Sequence, residues 1–387
     1  MFKIGASEVS GSEYVGYKMA LKLRSEGVLA DSSIAQAEDG YRIVLDGVGE
    51  VPLFIPLDLS YDLDPRGYSV HAFFAGGLRE SDIYQVYMDS PDGDIRVGWF
   101  IPVLALESDL HDYSDNEHFL RYARAAVEAS WDTFPQECLI CEDVGVGAEG
   151  LRFSQVVPES TAFLVISNRA VDSKFDLSRI LPAMISFGVL DASQSKGGIE
   201  VAPFNRPDGQ KLKFRRCAEE FLGDRLINAL LSYAVRADGN PVLQFFYLYQ
   251  VVELLMEKVF VHEQKSIVEK INAAQGAVAK VKEALDDLSD CLSEKKRMNS
   301  LINKYCNPIP DLSALVSECR GLGAALDLKH DASLSNSLYP LRNLLFHNYR
   351  AFPEQRLADL ERVNRSFIRA LPCILSCFRY PSLARVS

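Results

Sequence analysis

Long apolar runs are missing from this 387-residue chain. Nothing approaches the roughly 18 consecutive apolar residues that read as a membrane-spanning helix, so no membrane span is expected. The opening "MFKIGASEVSGSEYVGYK" lacks a basic segment followed by an apolar one, so a secretory signal is not expected either. Histidine is scarce, with six in all, and His71, His111, His118 and His330 share no metal-like spacing. The eight cysteines are scattered. Only Cys138/Cys141 and Cys373/Cys377 sit close together, and neither pair has the partner pair that a structural zinc site uses. Thiols in a reducing cytoplasm are the expectation, with Cys373 and Cys377 in the core of a late helix. A glycine fingerprint for nucleotides is lacking too: Lys196-Gly197-Gly198 does not have the Gly-x4-Gly-Lys-Ser/Thr spacing of a phosphate loop. These gaps predict neither a metal nor a cofactor.

What is present suits a folded protein, with 48% apolar and 24% charged residues. The length predicts two domains. Charge is divided unevenly. Residues 241–387 hold 19 Lys+Arg against 16 Asp+Glu, while the first 240 hold 22 against 37. Between 342 and 385 there are eight arginines and no lysine. An acidic front and an arginine-rich tail suggest different partners for the two parts, although charge on a solvated face reads the same way.

The front mixes helix and strand. "SEYVGYKMALKLRSEG" has helical spacing with a stop at Gly27. "YRIVLDGVGEVPLFIPLDL", "YSVHAFF" and "TAFLVISNRAV" read as strands. Two β-rich runs flank Ser90-Pro91-Asp92-Gly93, which predicts a hairpin. "NEHFLRYARAAVEASWDTF" is an amphipathic helix with Phe119, Tyr122, Ala126 and Val127 on one stripe.

From about Arg215 the pattern becomes helical and no convincing strand follows. "RRCAEEFLGDRLINALLSYAVRADGN" reads as one helix. "PVLQFFYLYQVVELLMEKVFVHE" reads as another, starting on Pro241 and closing near His262. It is apolar almost all round, with Gln250, Glu253 and Glu257 on one face. The fold class is therefore α+β: a mixed α/β region over 1–214, then an all-α domain over 215–387.

Within that domain, "LYPLRNLLFHNYR" stands out. Proline cannot donate a backbone hydrogen bond, so a helix is predicted to begin at Pro340, with Arg342 in its first turn. Leu341, Leu344, Leu345 and Phe346 anchor it. Asn343 and His347 share a face, with Arg350 close to it. Arg342 and His347 are about 140° apart on an ideal helix, so contact needs a long reach by the arginine or an irregular helix start. Histidine transfers protons near neutral pH. Arginine can place paired donors on phosphate oxygens, and asparagine can bind phosphate or orient the histidine. Those are the parts a metal-free ribonuclease needs, because RNA carries its own nucleophile in the 2′-hydroxyl. One chain offers one such histidine; two chains would offer two around one phosphate. Glu253 or Glu257 could hold Arg342, since a buried arginine requires a carboxylate; a plainly solvated face fits those glutamates equally well.

Arg342, Asn343 and His347 resemble, position by position, the signature of the HEPN superfamily. Tyr349 extends the likeness to the Arg-x4-His-x-Tyr form of HEPN toxins. The resemblance covers roughly residues 215–387 and is silent on residues 1–214. It implies a helical, dimeric, metal-independent endoribonuclease whose catalytic residues are Arg342, Asn343 and His347, supported by Tyr349, Glu253 and Arg350. It implies RNA as substrate and a role in antiviral defence or as a regulated toxin. The front region would then sense a trigger or bind a protein partner, as in Apea-like defence proteins. A catalytically idle scaffold and a toxin silenced by a separate antitoxin are the alternatives.

Overall fold

A computed structural model describes residues 32–381, apart from 38–39, 46–48, 62, 90–92, 134–149, 172–175, 195–200, 238, 311 and 329–332. The expected helix at 12–27, the turn residues 90–92, Cys138/Cys141, Lys196-Gly197-Gly198 and His330 lie outside the described residues. The chain divides into two compact units. One takes in residues up to 175 together with 187–214; the other takes 176–186 and everything from 215.

The first unit is built on sheets. Its strands are β1 (Ser32–Ala37), β2 (Gly40–Leu45), β3 (Gly49–Phe54), β4 (Tyr68–Phe74), β5 (Tyr84–Met88), β6 (Ile95–Pro102), β7 (Leu151–Arg152), β8 (Thr161–Ser167), β9 (Leu190–Asp191) and β10 (Lys211–Phe214). Four form a sheet in the order β1-β2-β3-β7, and six form another in the order β10-β5-β6-β8-β4-β9. β5 and β6 pair antiparallel, as a hairpin requires. Tyr84, Val86 and Met88 alternate inward along β5, whereas the inner strand β8 is buried through its first six residues, as a strand covered on both faces must be. Gly98 has a steric reason: a Cβ there would sit 1.9 Å from the Val165 carbonyl oxygen on β8. Two helices accompany these strands, α1 (Val103–Leu106) and α2 (Glu117–Thr133). α2 buries Phe119, Tyr122, Ala126 and Val127 in a core shared with Trp99, Phe163 and Val165. Asp82 is buried and takes a bidentate pair of hydrogen bonds from Arg206, from Nε at 2.8 Å and from Nη2 at 2.7 Å.

The second unit is helical, with no strand among its described residues. Its helices are α3 (Leu181–Ser186), α4 (Arg225–Arg236), α5 (Pro241–Ala273), α6 (Val278–Leu292), α7 (Glu294–Ser300), α8 (Ser313–Ala325), α9 (Leu334–His347) and α10 (Leu357–Cys377). α5 is the spine. Asn240 caps it by accepting from the Leu243 N–H, and Pro241 occupies the first turn, where its missing donor costs nothing. At 33 residues it is about 50 Å long. α4, α6 and α10 pack along it. Buried Asn364 of α10 donates to the Pro241 carbonyl at 2.7 Å, which pins the start of the spine. The six described cysteines are free; Cys373 is buried and Cys377 half-buried on α10.

Three boundaries differ from those read in the sequence. Residues 215–224 are not part of a long helix. Gly223 adopts a φ of +68°, and Asp224 restarts the chain as α4 by accepting from the Leu226 and Ile227 N–H groups. α5 does not close near His262 but continues eleven residues to Ala273, so His262 lies inside it. α9 begins at Leu334, not at Pro340, and Arg342 stands well inside it. Ser333 caps it by accepting from the Asn336 N–H. Leu334, Leu338, Leu341 and Leu345 form one buried stripe that runs past the proline. Four buried leucines at roughly 2 kcal/mol each outweigh the roughly 3 kcal/mol that an interior proline costs.

Candidate active site

Three helices of the second unit converge on Arg342. Its side chain is 13% exposed and its guanidinium lies beside two rings, 5.5 Å from the centre of Tyr249 and 5.1 Å from that of Phe346. Nη1 donates to Asn343 Oδ1 at 3.1 Å and to His347 Nε2 at 3.0 Å. Nη2 donates to Glu253 Oε1 on α5 at 3.0 Å and lies 3.3 Å from Glu294 Oε1, the first residue of α7. The Tyr249 hydroxyl donates to the same Glu294 oxygen at 3.3 Å, and Gln250 donates to the other oxygen of Glu253 at 2.5 Å.

Arg342 and His347 therefore meet although helical geometry sets them on different faces. The reach of the arginine side chain closes the gap, while the helix around it is continuous. Because a guanidinium only donates, Nε2 must be the acceptor here, which puts the ring proton of a neutral His347 on Nδ1. Each terminal nitrogen of Arg342 has two partners, matching its two hydrogens. The fifth donor, Nε–H, is buried without a partner. Burial alone would lower the Arg342 pKa, but the hydrogen bond to Glu253 and the charge of Glu294 raise it, so the cation is secure. Tyr249 is pushed up by burial and then by Glu294, so it stays a neutral donor.

The other expected members are dispersed. Asn343 is half-buried and His347 exposed at the last position of α9. Because α9 stops there, Arg350 does not share its face. Asn348 breaks the helix with a φ of −141°, and Tyr349 and Arg350 fall in the single turn that follows. Both are exposed and neither joins the network of Arg342. Glu257, the other carboxylate considered for Arg342, is exposed, and Glu294 takes that place. No local signal marks Glu294, because α6 and a helix break separate it from Glu253. Tyr249 was findable: it lies four residues before Glu253, on the same side of α5.

His262 belongs to a different cluster. Its Nδ1 is 2.7 Å from the Tyr305 hydroxyl, which donates to Glu263 at 2.9 Å, and Lys304 donates to the same Glu263 oxygen at 2.6 Å. Among the described residues no three His, Cys, Asp or Glu side chains are grouped as metal ligands, and no helix is long and apolar enough to cross a membrane.

No family model matches the sequence, and neither a curated protein nor a solved structure matches the chain. The resemblance of residues 342–349 to the HEPN signature thus stands on those residues themselves.

Proposed function

We propose that the helical unit is a metal-independent endoribonuclease of the HEPN type, acting in the cytoplasm in antiviral defence or as a regulated toxin. The observation that carries this reading is the contact of Arg342 Nη1 with both His347 and Asn343, 3.0 and 3.1 Å away. It draws an arginine, an amide and an exposed imidazole into one cluster. The sheet unit senses the trigger or holds a protein partner.

The proposed chemistry starts from the resting hydrogen bonds. RNA phosphate takes Nη1 from His347, and the exchange both grips the phosphate and frees the Nε2 lone pair. Nε2 then accepts the 2′-hydroxyl proton as that oxygen attacks phosphorus. The bond to the 5′-oxygen breaks, and a second imidazole, which enters the step in its protonated form, gives its proton to the leaving oxygen. The products are a 2′,3′-cyclic phosphate and a 5′-hydroxyl. Glu253 and Glu294 keep Nη2 fixed, so only the Nη1 edge is exchanged. The second imidazole comes from a second copy of the chain, in a two-fold pairing of the α9 helices.

An alternative role as a toxin silenced by an antitoxin draws support from Tyr349, which is 52% exposed and open to modification. A catalytically idle scaffold is the remaining alternative. Incubation of RNA with wild type and with His347→Ala, each in excess EDTA, separates the readings. Cleavage by wild type alone, blocked by a 2′-deoxy substitution at the cut site, is the expected result. Equal cleavage by a folded His347→Ala chain, or loss of cleavage on chelation, overturns the proposal. Mixing the two chains should lower activity more than dilution does if the site is composite.

A further inference from the structure

β10 runs along one edge of the six-stranded sheet, and its residues alternate: Lys211 and Lys213 are exposed while Leu212 and Phe214 are buried. Lys213 stands opposite Tyr87 of β5, and Tyr87 stands opposite Arg96 of β6. Residues directly opposite one another share a face, so these three form one row across three strands. A bulge makes the row. The register slips by one residue between Val86 and Tyr87, which leaves Val97 without an opposite residue. Regular pairing would set Val97 against Tyr87 and turn Arg96 to the buried side with Met88. With the bulge, Val97 stays in the core and Arg96 is exposed.

The Arg96 guanidinium meets Nε2 of His118 on α2. A guanidinium only donates, so His118 is neutral with its proton on Nδ1. Burial, then the charges of Arg96 and Arg121, hold the His118 pKa below its ordinary value. Both arginines are exposed, and among the described residues neither has a carboxylate within ion-pair distance, Glu117 one turn before Arg121 included. That is unexpected in a region where 37 Asp+Glu face 22 Lys+Arg. Two guanidiniums without a counter-ion crowd one imidazole, and an anion relieves that crowding. Beside the same row lies a cavity of about 580 Å³, lined by Gln85, Phe187, Pro207, Gln210, Lys211 and Lys213, with one carboxylate, Asp208. Its size is that of a small-molecule site. Lys213 is held by Asp94 at 2.5 Å, and Lys211 lies 5.1 Å from the centre of the Tyr87 ring. Gln85 accepts from the Tyr87 hydroxyl at 3.0 Å and Gln210 from the Tyr113 hydroxyl at 2.5 Å, which leaves the NH₂ groups of both amides as donors.

We infer that this corner of the sheet unit binds a phosphate-bearing organic anion of the nucleotide class, its phosphates on Arg96 and Arg121 and its organic part in the cavity. Two guanidinium forks offer more parallel donors than one carboxylate accepts, whereas a phosphate has the oxygens and the second charge to take them. β10 and β6 lie about 10 Å apart across β5, so one extended small molecule reaches from the cavity to Arg96. The two amide NH₂ groups suit carbonyl, hydroxyl or ring-nitrogen acceptors on its organic part. The inference goes beyond the ribonuclease reading and does not depend on what the Arg342 cluster does.

Calorimetry of the full chain with ATP and with inorganic pyrophosphate, both in excess EDTA, tests it. ATP should bind, and pyrophosphate, which leaves the cavity empty, should bind roughly tenfold more weakly or worse. Arg96→Gln and Arg121→Gln should each weaken ATP roughly tenfold, the loss of one charge-assisted hydrogen bond. The urea midpoint read by tryptophan fluorescence should not move, because both side chains are exposed. In wild type, ATP should raise the His118 pKa, followed by its ring-proton resonances and assigned with His118→Ala, because the phosphate takes the Arg96 donor and adds negative charge. ATP binding that survives in a folded chain carrying both arginine substitutions places the phosphate elsewhere, the Arg342 edge included, and overturns the inference. An unmoved His118, equal affinity for ATP and pyrophosphate, or no binding of either would each overturn it as well.

Discussion

Arg206 in the sheet unit and Arg342 in the helical unit are both tied to carboxylates, but the two forks are divided differently. Arg206 gives two donors to the two oxygens of one aspartate and a third to the Gly77 carbonyl at 2.5 Å. Asp82 also accepts from the Arg79 backbone N–H at 2.8 Å and from the Tyr84 hydroxyl at 3.4 Å. That pair closes on itself and pins two loops. Arg342 gives one edge to two glutamates and the other to an asparagine and an exposed histidine. A closed fork serves the fold; a split fork leaves one edge available for exchange. The difference teaches where to look for chemistry in an arginine–carboxylate cluster: at the donor shared with a group that can itself move a proton.

His347→Ala sharpens this contrast most. If the helical unit is the ribonuclease proposed above, cleavage should fall on the order of 10²- to 10⁴-fold, the usual contribution of a positioned acid or base, with the thermal midpoint unchanged because His347 is exposed. Asp82→Ala is the converse. It strands the Arg206 charge and the Arg79 N–H, and should cost the sheet unit about 2–3 kcal/mol, with the cleavage rate at low temperature unchanged. Tryptophan fluorescence in urea reads that unit alone, since both tryptophans, Trp99 and Trp131, belong to it. If Asp82→Ala abolished cleavage in a folded chain, the division between structural and chemical forks would be wrong. Glu294→Gln should lower kcat about tenfold with little change in KM, since it loosens the fixed edge of Arg342 without touching the exchangeable one. A normal kcat would leave Glu253 as the sole anchor.

The smallest effect concerns acid. His71 and His111 of the sheet unit have lowered pKa values, chiefly because burial disfavours their charged forms. His118 is lowered by burial and then by Arg96 and Arg121. Unfolded histidines take up protons near about 6.5, while these resist, so the stability they contribute is present above that pH and lost as pH falls through it. Glu107, raised by burial, acts in the opposite sense but only near the carboxylate range. Lowering pH from 7 to 5 should therefore shift the fluorescence-detected urea midpoint down more than the helicity-detected one; equal shifts would remove this distinction between the units.

Much of this architecture can be read from the chain, and the failures have a common cause. β4 coincides with "YSVHAFF", and the stripe of α2 is plain because both are set by a repeat within the element itself. Pro241 marks the start of α5 because Asn240 precedes it as a cap. Pro340 misleads for want of the same context: a proline begins a helix only when nothing upstream continues it, and the stripe from Leu334 does. β10 and α3 are too short, at four and six residues, for any repeat to declare itself. At the site, Arg342, Asn343, His347 and Glu253 are legible because they lie on two strongly patterned helices. Glu294 is not, because its place beside Arg342 depends on how α7 packs against α5 and α9, a long-range fact with no local spelling.

The double carboxylate around Arg342 also bears on ionic strength. RNA binding weakens with salt because each cation that neutralises a phosphate releases counterions. In the proposed ribonuclease, Arg342 is already paired with Glu253 and Glu294 before any RNA binds. Moving Nη1 from His347 to a phosphate exchanges one hydrogen bond for another and brings no net positive charge to the backbone. The salt slope of RNA affinity should thus be set by arginines such as Arg350, exposed and outside the cluster.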